Sequence, residues 1–132
     1  MIKKIDHVGI VVRDVEQSVA IYRDGLRLKY LRTEYNGDFH CKIAFLQCGD
    51  VLIELIEPTG EGPSQRFLDE HGEGIHHICY EVNNIDEALE HAKKNLKTDY
   101  DAPKVGAADS RVFFLDASSV CGVETEFVEL KK

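Results

Sequence analysis

Apolar and polar residues alternate over residues 5–12, IDHVGIVV, with Val8, Ile10 and Val12 on one face and His7, Gly9 and Val11 on the other. That period of two predicts a strand. Asp14 with Gln17 then has the spacing of a helix N-cap and its partner. Val15, Val19 and Tyr22 follow at helical spacing, and Gly25 ends the helix. Three more strands are expected near 28–34, 41–47 and 51–57. The order is βαβββ.

The same pattern returns. Ile5-Asp6-His7-Val8 lies over Ile75-His76-His77-Ile78 at a shift of 70 residues, and Val12, Asp14, Val15, Val19 and Arg23 fall on Val82, Asn84, Ile85, Leu89 and Lys93. KIAFL at 42–46 matches RVFFL at 111–115 at a shift of 69, and VLIELIE at 51–57 matches VETEFVE at 123–129 at a shift of 72. Three matches in order at nearly one shift indicate duplication. The second copy is expected to hold a helix from Ile85 through Ala92, closed by NLKTD. Strands are expected near 100–103, 111–116 and 123–129. Module one covers about 1–58 and module two about 74–130, in a single domain spanning 1–132. Between them, residues 59–73 form a linker with a short helix, with Ser64 as its expected cap and Gly72 as its close.

The duplication singles out four side chains. His77, not His76, repeats His7, and Glu126 repeats Glu54. Glu54 lies between Leu52 and Ile56 on its strand face, and Glu126 between Glu124 and Val128. A carboxylate among apolar neighbours on a half-buried strand is costly unless paired or bound to a cation. Singly, a strand histidine is more often structural than a ligand, and a strand glutamate usually faces water. Two imidazoles and two carboxylates in repeat-related places bring a divalent-metal site level with the structural reading. Such ligands suit Zn, Ni, Co, Mn or Fe(II), and spacing does not choose among them. His76 is expected to flank the site or to hydrogen-bond nearby. His40, His71 and His91 read as surface residues, and Glu124 and Glu129 as solvated ones.

Composition narrows the partners. Net charge is −8, with 24 acidic against 16 basic residues. That argues against nucleic acid and anionic membranes as partners, while leaving room for a small anionic ligand. No run of about 18 apolar residues predicts a membrane span. The N-terminus does not read as a signal peptide, because Asp6 and His7 interrupt its apolar part. Cys41, Cys48, Cys79 and Cys121 include no CxxC pair, so they read as free thiols, mostly core fillers, in a reducing cytoplasm.

With these residues in view, the chain resembles the vicinal oxygen chelate superfamily, and within it the methylmalonyl-CoA epimerases. The segments that carry the resemblance are IDHVGIVVRDVEQSVAIYRDGL at 5–26, GDVLIELIEP at 49–58 and, most specifically, FLDEHGEGIHHICYEVNNIDEAL at 67–89. The resemblance implies an α+β fold in which two βαβββ modules form a curved mixed sheet around a metal cavity. It implies one divalent ion per chain, held by His7, Glu54, His77 and Glu126, and a homodimer. It implies proton abstraction alpha to a thioester, with Glu126 in one acid–base role and Glu54, Lys42 or a metal-bound water in the other.

Some epimerases carry a base glutamate on the strand that here reads CKIAF, where Lys42 aligns. FLDASSVCGVETEF also departs from the usual His-Pro step before the last strand, and KVGAADS at 104–110 is less glycine-rich than usual. A His/Glu/His/Glu set also resembles the lactoylglutathione lyases, so a glutathione-adduct substrate is the rival to a thioester. A non-catalytic small-molecule binding or resistance protein is a further alternative, disfavoured by the complete ligand set. Extradiol dioxygenase chemistry needs only two histidines and one carboxylate and is disfavoured by the fourth ligand.

Overall fold

The computed structural model describes residues 1–131. Its chain divides into two compact units: His7–His76, and Met1–Asp6 together with the chain from His77 onward. Strand β1, Ile2–Val11, contributes to both. All eight strands and three α-helices described below come from the described residues.

In the unit His7–His76, helix α1 spans Val15–Ala20 and continues through a wider turn at Ile21–Gly25. Strands β2 (Lys29–Asn36), β3 (Cys41–Cys48) and β4 (Val51–Pro58) follow. Their order is β2-β3-β4-β1. The β2–β3 and β3–β4 pairs are antiparallel, whereas β1 and β4 run parallel with Gly9 beside Glu54. The register sorts the side chains. Ala44, Leu46 and Leu55 form a buried cluster with Val12, just past β1, and with Val15 and Val19 of α1, and Tyr22 packs against it. The alternate positions, Cys41, Ile43, Phe45, Glu54 and Ile56, are also buried. Both faces of these strands are therefore shielded, which explains their nearly unbroken apolar runs.

The linker helix, α2, spans Pro63–His71 and ends at Gly72, whose φ of 78° is a conformation that suits glycine. Its cap differs from expectation. Gly62 occupies the N-cap position and Pro63 the first turn, so Ser64 lies inside the helix. The Ser64 hydroxyl is buried without a hydrogen-bond partner among the described residues.

The other unit repeats the plan. It holds β5 (Gly74–Val82, from His77), α3 (Ile85–Asn95), β6 (Lys104–Val105), β7 (Arg111–Phe114) and β8 (Thr125–Glu129). The order is β5-β8-β7-β6, with β5 and β8 parallel and the rest antiparallel. Val82, Ile85, Leu89, Ala92, Phe113 and Leu115 form its core. The strand expected near 100–103 is absent. Pairing starts only at Lys104 and lasts two residues, because Asp99, Asp101, Ala102 and Pro103 supply neither alternation nor, at proline, an N–H.

The helix starts are duplicated too. Asp14 accepts a hydrogen bond from the Gln17 N–H, and Asn84 from the Glu87 N–H, both at 3.1 Å. Each helix has a second acceptor from the last strand of its module. Glu57 takes the Val15 N–H at 2.9 Å, and Glu129 takes the Ile85 N–H at 3.0 Å. Glu129 is thus a helix cap and not the solvated residue its sequence position suggested. An acidic group here satisfies an orphan donor and meets the positive end of the helix.

Replacing Asp14 or Asn84 with alanine is expected to cost about 1 kcal/mol each. Leu55→Ala, which empties a fully buried position, is expected to cost about 2–5 kcal/mol. Urea denaturation followed by circular dichroism measures both.

Candidate metal centre

Each unit carries one buried imidazole–carboxylate pair. His7 Nδ1 lies 3.0 Å from Glu54 Oε2, and His77 Nε2 lies 3.1 Å from Glu126 Oε1. All four residues are between 5% and 8% exposed. The alternation of β1, β4, β5 and β8 turns them inward, and the registers are the same in both units. His7 sits two residues before Gly9, which opposes Glu54. His77 sits two residues before Cys79, which opposes Glu126.

The flanking strands complete the parallel. Phe45 of β3 opposes Glu54, and Phe114 of β7 opposes Glu126. Phe114 also meets the His77 ring edge-on, with centroids 5.7 Å apart. Beyond Glu126, Cys79, Val112 and Val128 form a small apolar cluster. The surroundings of both carboxylates are therefore dry, which strengthens any charge interaction there.

These residues fit a divalent ion by donor chemistry. Neutral imidazole nitrogen and carboxylate oxygen are ligands for Zn, Mn, Fe(II), Co and Ni. Buried carboxylates among apolar side chains are the groups a cation stabilises most. His7, His77 and Glu126, all buried, are candidate ligands on this ground, and Glu54 repeats Glu126 in its own unit.

Lys42 does not belong to this site. The strand register puts Phe45 on the face of Glu54 and Lys42 on the opposite one, beside Glu57. The lysine is exposed and its ammonium lies 3.9 Å from the Glu57 carboxylate. Strand parity, not spacing along the sequence, decides this. The β3 positions on the face of Glu54 are Cys41, Ile43, Phe45 and Gln47, and none is a carboxylate. The His76 ring meets Phe67 of α2 edge-on at 5.1 Å. His40, His71 and His91 are exposed, as expected.

Sequence reasoning did not single out Tyr100. Its ring lies 6.4 Å from that of Phe114. Burial, and then the charge of Glu126, raise the Tyr100 phenol above its usual pKa. The thiols divide by place. Cys41 is pushed up to about 11 by burial and then by the charge of Glu54. Cys41 and Cys79 are buried, as core fillers should be, but Cys48 and Cys121 are exposed.

Comparison with known proteins agrees with this geometry. Residues 6–114 match the family model of the Glyoxalase/Bleomycin resistance protein/Dioxygenase superfamily. The chain belongs to this superfamily, the vicinal oxygen chelate proteins. It is 36% identical over 134 aligned residues to the ethylmalonyl-CoA/methylmalonyl-CoA epimerase of Cereibacter sphaeroides, covering 97% of this chain and 100% of the relative. The methylmalonyl-CoA epimerase of Streptomyces coelicolor, solved with 2-nitronate-propionyl-CoA, superposes with a TM-score of 0.92 at 30% identity, covering 100% of both chains. The lactoylglutathione lyase of Salmonella typhimurium is 31% identical over 90 residues, covering 67% of this chain and 65% of the relative. The fold is therefore the α+β vicinal oxygen chelate fold, and the named relatives are enzymes. No helix among the described residues is long and apolar enough to cross a membrane.

An aromatic disulfide reagent is expected to titrate two thiols in the native protein, Cys48 and Cys121, and four in denaturant. The Cys41 thiol stays protonated and inert below its raised pKa.

Proposed function

We propose that the protein is a metal-dependent isomerase that removes and returns a proton alpha to a thioester, as methylmalonyl-CoA epimerase does. The observation that carries this is the twice-built buried His–Glu pair, in a chain similar from end to end to epimerases of that class. In this reading His7, Glu54, His77 and Glu126 hold one divalent ion per chain. The substrate is a small 2-acyl thioester. The same resemblance supports a cytoplasmic homodimer.

Bound there, a divalent ion supplies Lewis acidity that lowers the cost of negative charge on the acyl oxygens. The chain's own residues do the rest. Glu126 carries the proton on one face of the alpha carbon, and Glu54 on the other. The absence of a carboxylate at Cys41, Ile43 and Phe45 supports giving both roles to these two glutamates. Phe45 and Phe114 stand opposite the two carboxylates on the neighbouring strands and cover them from that side.

The decisive experiment loads the protein with Co(II) or Mn(II) and adds single-epimer methylmalonyl-CoA, with epimerisation followed through a stereospecific coupling mutase. Turnover that EDTA abolishes is the expected result. Metal-loaded protein that leaves the thioester unchanged but converts a glutathione hemithioacetal would overturn the epimerase reading in favour of the lyase, a class also represented among the relatives.

Two sets of variants test the ligands and bases. His77→Ala is expected to lose stoichiometric metal uptake, and His76→Ala to keep it, by metal analysis after dialysis. Lys42→Met is expected to retain turnover within about twofold, since its ammonium faces Glu57, whereas Glu126→Gln is expected to lower kcat by about 100-fold or more.

A further inference from the structure

Strand β2 is an edge strand, and a bulge decides where its cations go. Lys29 opposes Gln47 of β3 and Tyr30 opposes Leu46, but Arg32 opposes Phe45, with Leu31 left between them without an opposite residue. Strict alternation would send Lys29 and Arg32 to opposite faces. The extra residue brings both to the face of Gln47 and Phe45. That is also the face of Glu54, because Phe45 opposes Glu54. Neighbouring strands lie about 4.8 Å apart, so two steps across the sheet set Arg32 about 10 Å from Glu54 at the Cα atoms.

The Arg32 side chain is held in place. Its guanidinium sits over the Phe45 ring, 4.3 Å from the centroid. Its Nε donates to the Glu34 carboxylate at 3.2 Å, and Glu34, opposite Ile43, shares that face. Covering Phe45 accounts for the stem and the stacked guanidinium. It does not account for the two Nη groups, which make no hydrogen bond among the described residues. The side chain is still 47% exposed, and Lys29 beside it is exposed too. In a chain of net charge −8, two adjacent cations on the face of the buried His7–Glu54 pair are a local exception.

We infer that Arg32, with Lys29 beside it, docks an oxyanion on the carrier portion of the substrate, two strands away from Glu54. This rests on the reading given under Proposed function. The planar guanidinium with free Nη groups suits a phosphate or carboxylate, and the lysine adds a point charge. A phosphate would come from a CoA carrier and a carboxylate from a glutathione carrier.

Arg32→Gln removes the charge at an exposed position. Wild type and variant are titrated by calorimetry with coenzyme A, with pantetheine, which lacks the phosphates, and with S-methylglutathione. The variant is expected to bind coenzyme A about tenfold more weakly and pantetheine equally well, with an unchanged melting temperature. Lys29→Gln is expected to give a smaller loss, and both losses are expected to shrink at high salt. Weakening of S-methylglutathione alone would uphold the docking site and make its ligand a carboxylate. Equal affinities of both proteins for the two charged probes would overturn the inference. So would a wild type that binds neither, or an equal loss toward pantetheine, which marks a structural role only. Epimerisation assays separate this inference from the proposed reaction. Wild type that binds coenzyme A through Arg32 but leaves methylmalonyl-CoA unchanged would keep the docking site and reject the reaction. Epimerisation with undiminished kcat/KM in Arg32→Gln would keep the reaction and reject the docking site.

Discussion

Burying a carboxylate against an imidazole on an apolar strand face is the constraint around which each unit is arranged. Taking a charged carboxylate out of water costs several kcal/mol even after relaxation. Each unit bears that cost at one position, Glu54 or Glu126, and meets it with a histidine at 3.0–3.1 Å. The parallel pairing of the first and last strands makes this possible. It sets the glutamate beside the residue two places after the histidine, and the imidazole reaches across. An antiparallel hairpin then supplies a phenylalanine opposite each glutamate. A slip of one residue in any of these registers would turn the charged group toward the helix.

The helices depend on the same last strands. Glu57 and Glu129 stand three residues beyond Glu54 and Glu126, hence on the opposite face. There they cap the first turns of α1 and α3. A single strand therefore offers one carboxylate to the buried pair and another to the helix terminus. The two cores, around Leu55 in one unit and Phe113 in the other, fill the space between cap and strand. This links stability to function. The packing that seats the helix also sets the orientation of the strand bearing the candidate ligand.

The two copies have diverged where packing permits. Gly9 opposes Glu54, but Cys79 opposes Glu126. Ile43 of β3 corresponds to Val112 of β7, and β2 has eight residues where β6 has two. The second unit replaces a long edge strand with the anchored segment that carries Tyr100. That difference makes the duplicated frame unequal at its outer edge.

Much was legible in the sequence by itself. The duplication, the helix caps at Asp14 and Asn84, most strands and the choice of His7, Glu54, His77 and Glu126 as one repeat-related set follow from periods of 2 and 3.6 residues and from repeat spacing. These are local or self-referential signals, and the chain cannot hide them. The tertiary structure alone decided the face of Lys42, the capping role of Glu129, the position of Ser64 inside its helix and the packing of Tyr100 near Phe114. Each of these depends on which strand lies opposite, or on how an irregular segment folds back. Side-chain direction across a sheet is fixed by hydrogen-bonded register between distant segments, and no spacing along the chain encodes that register.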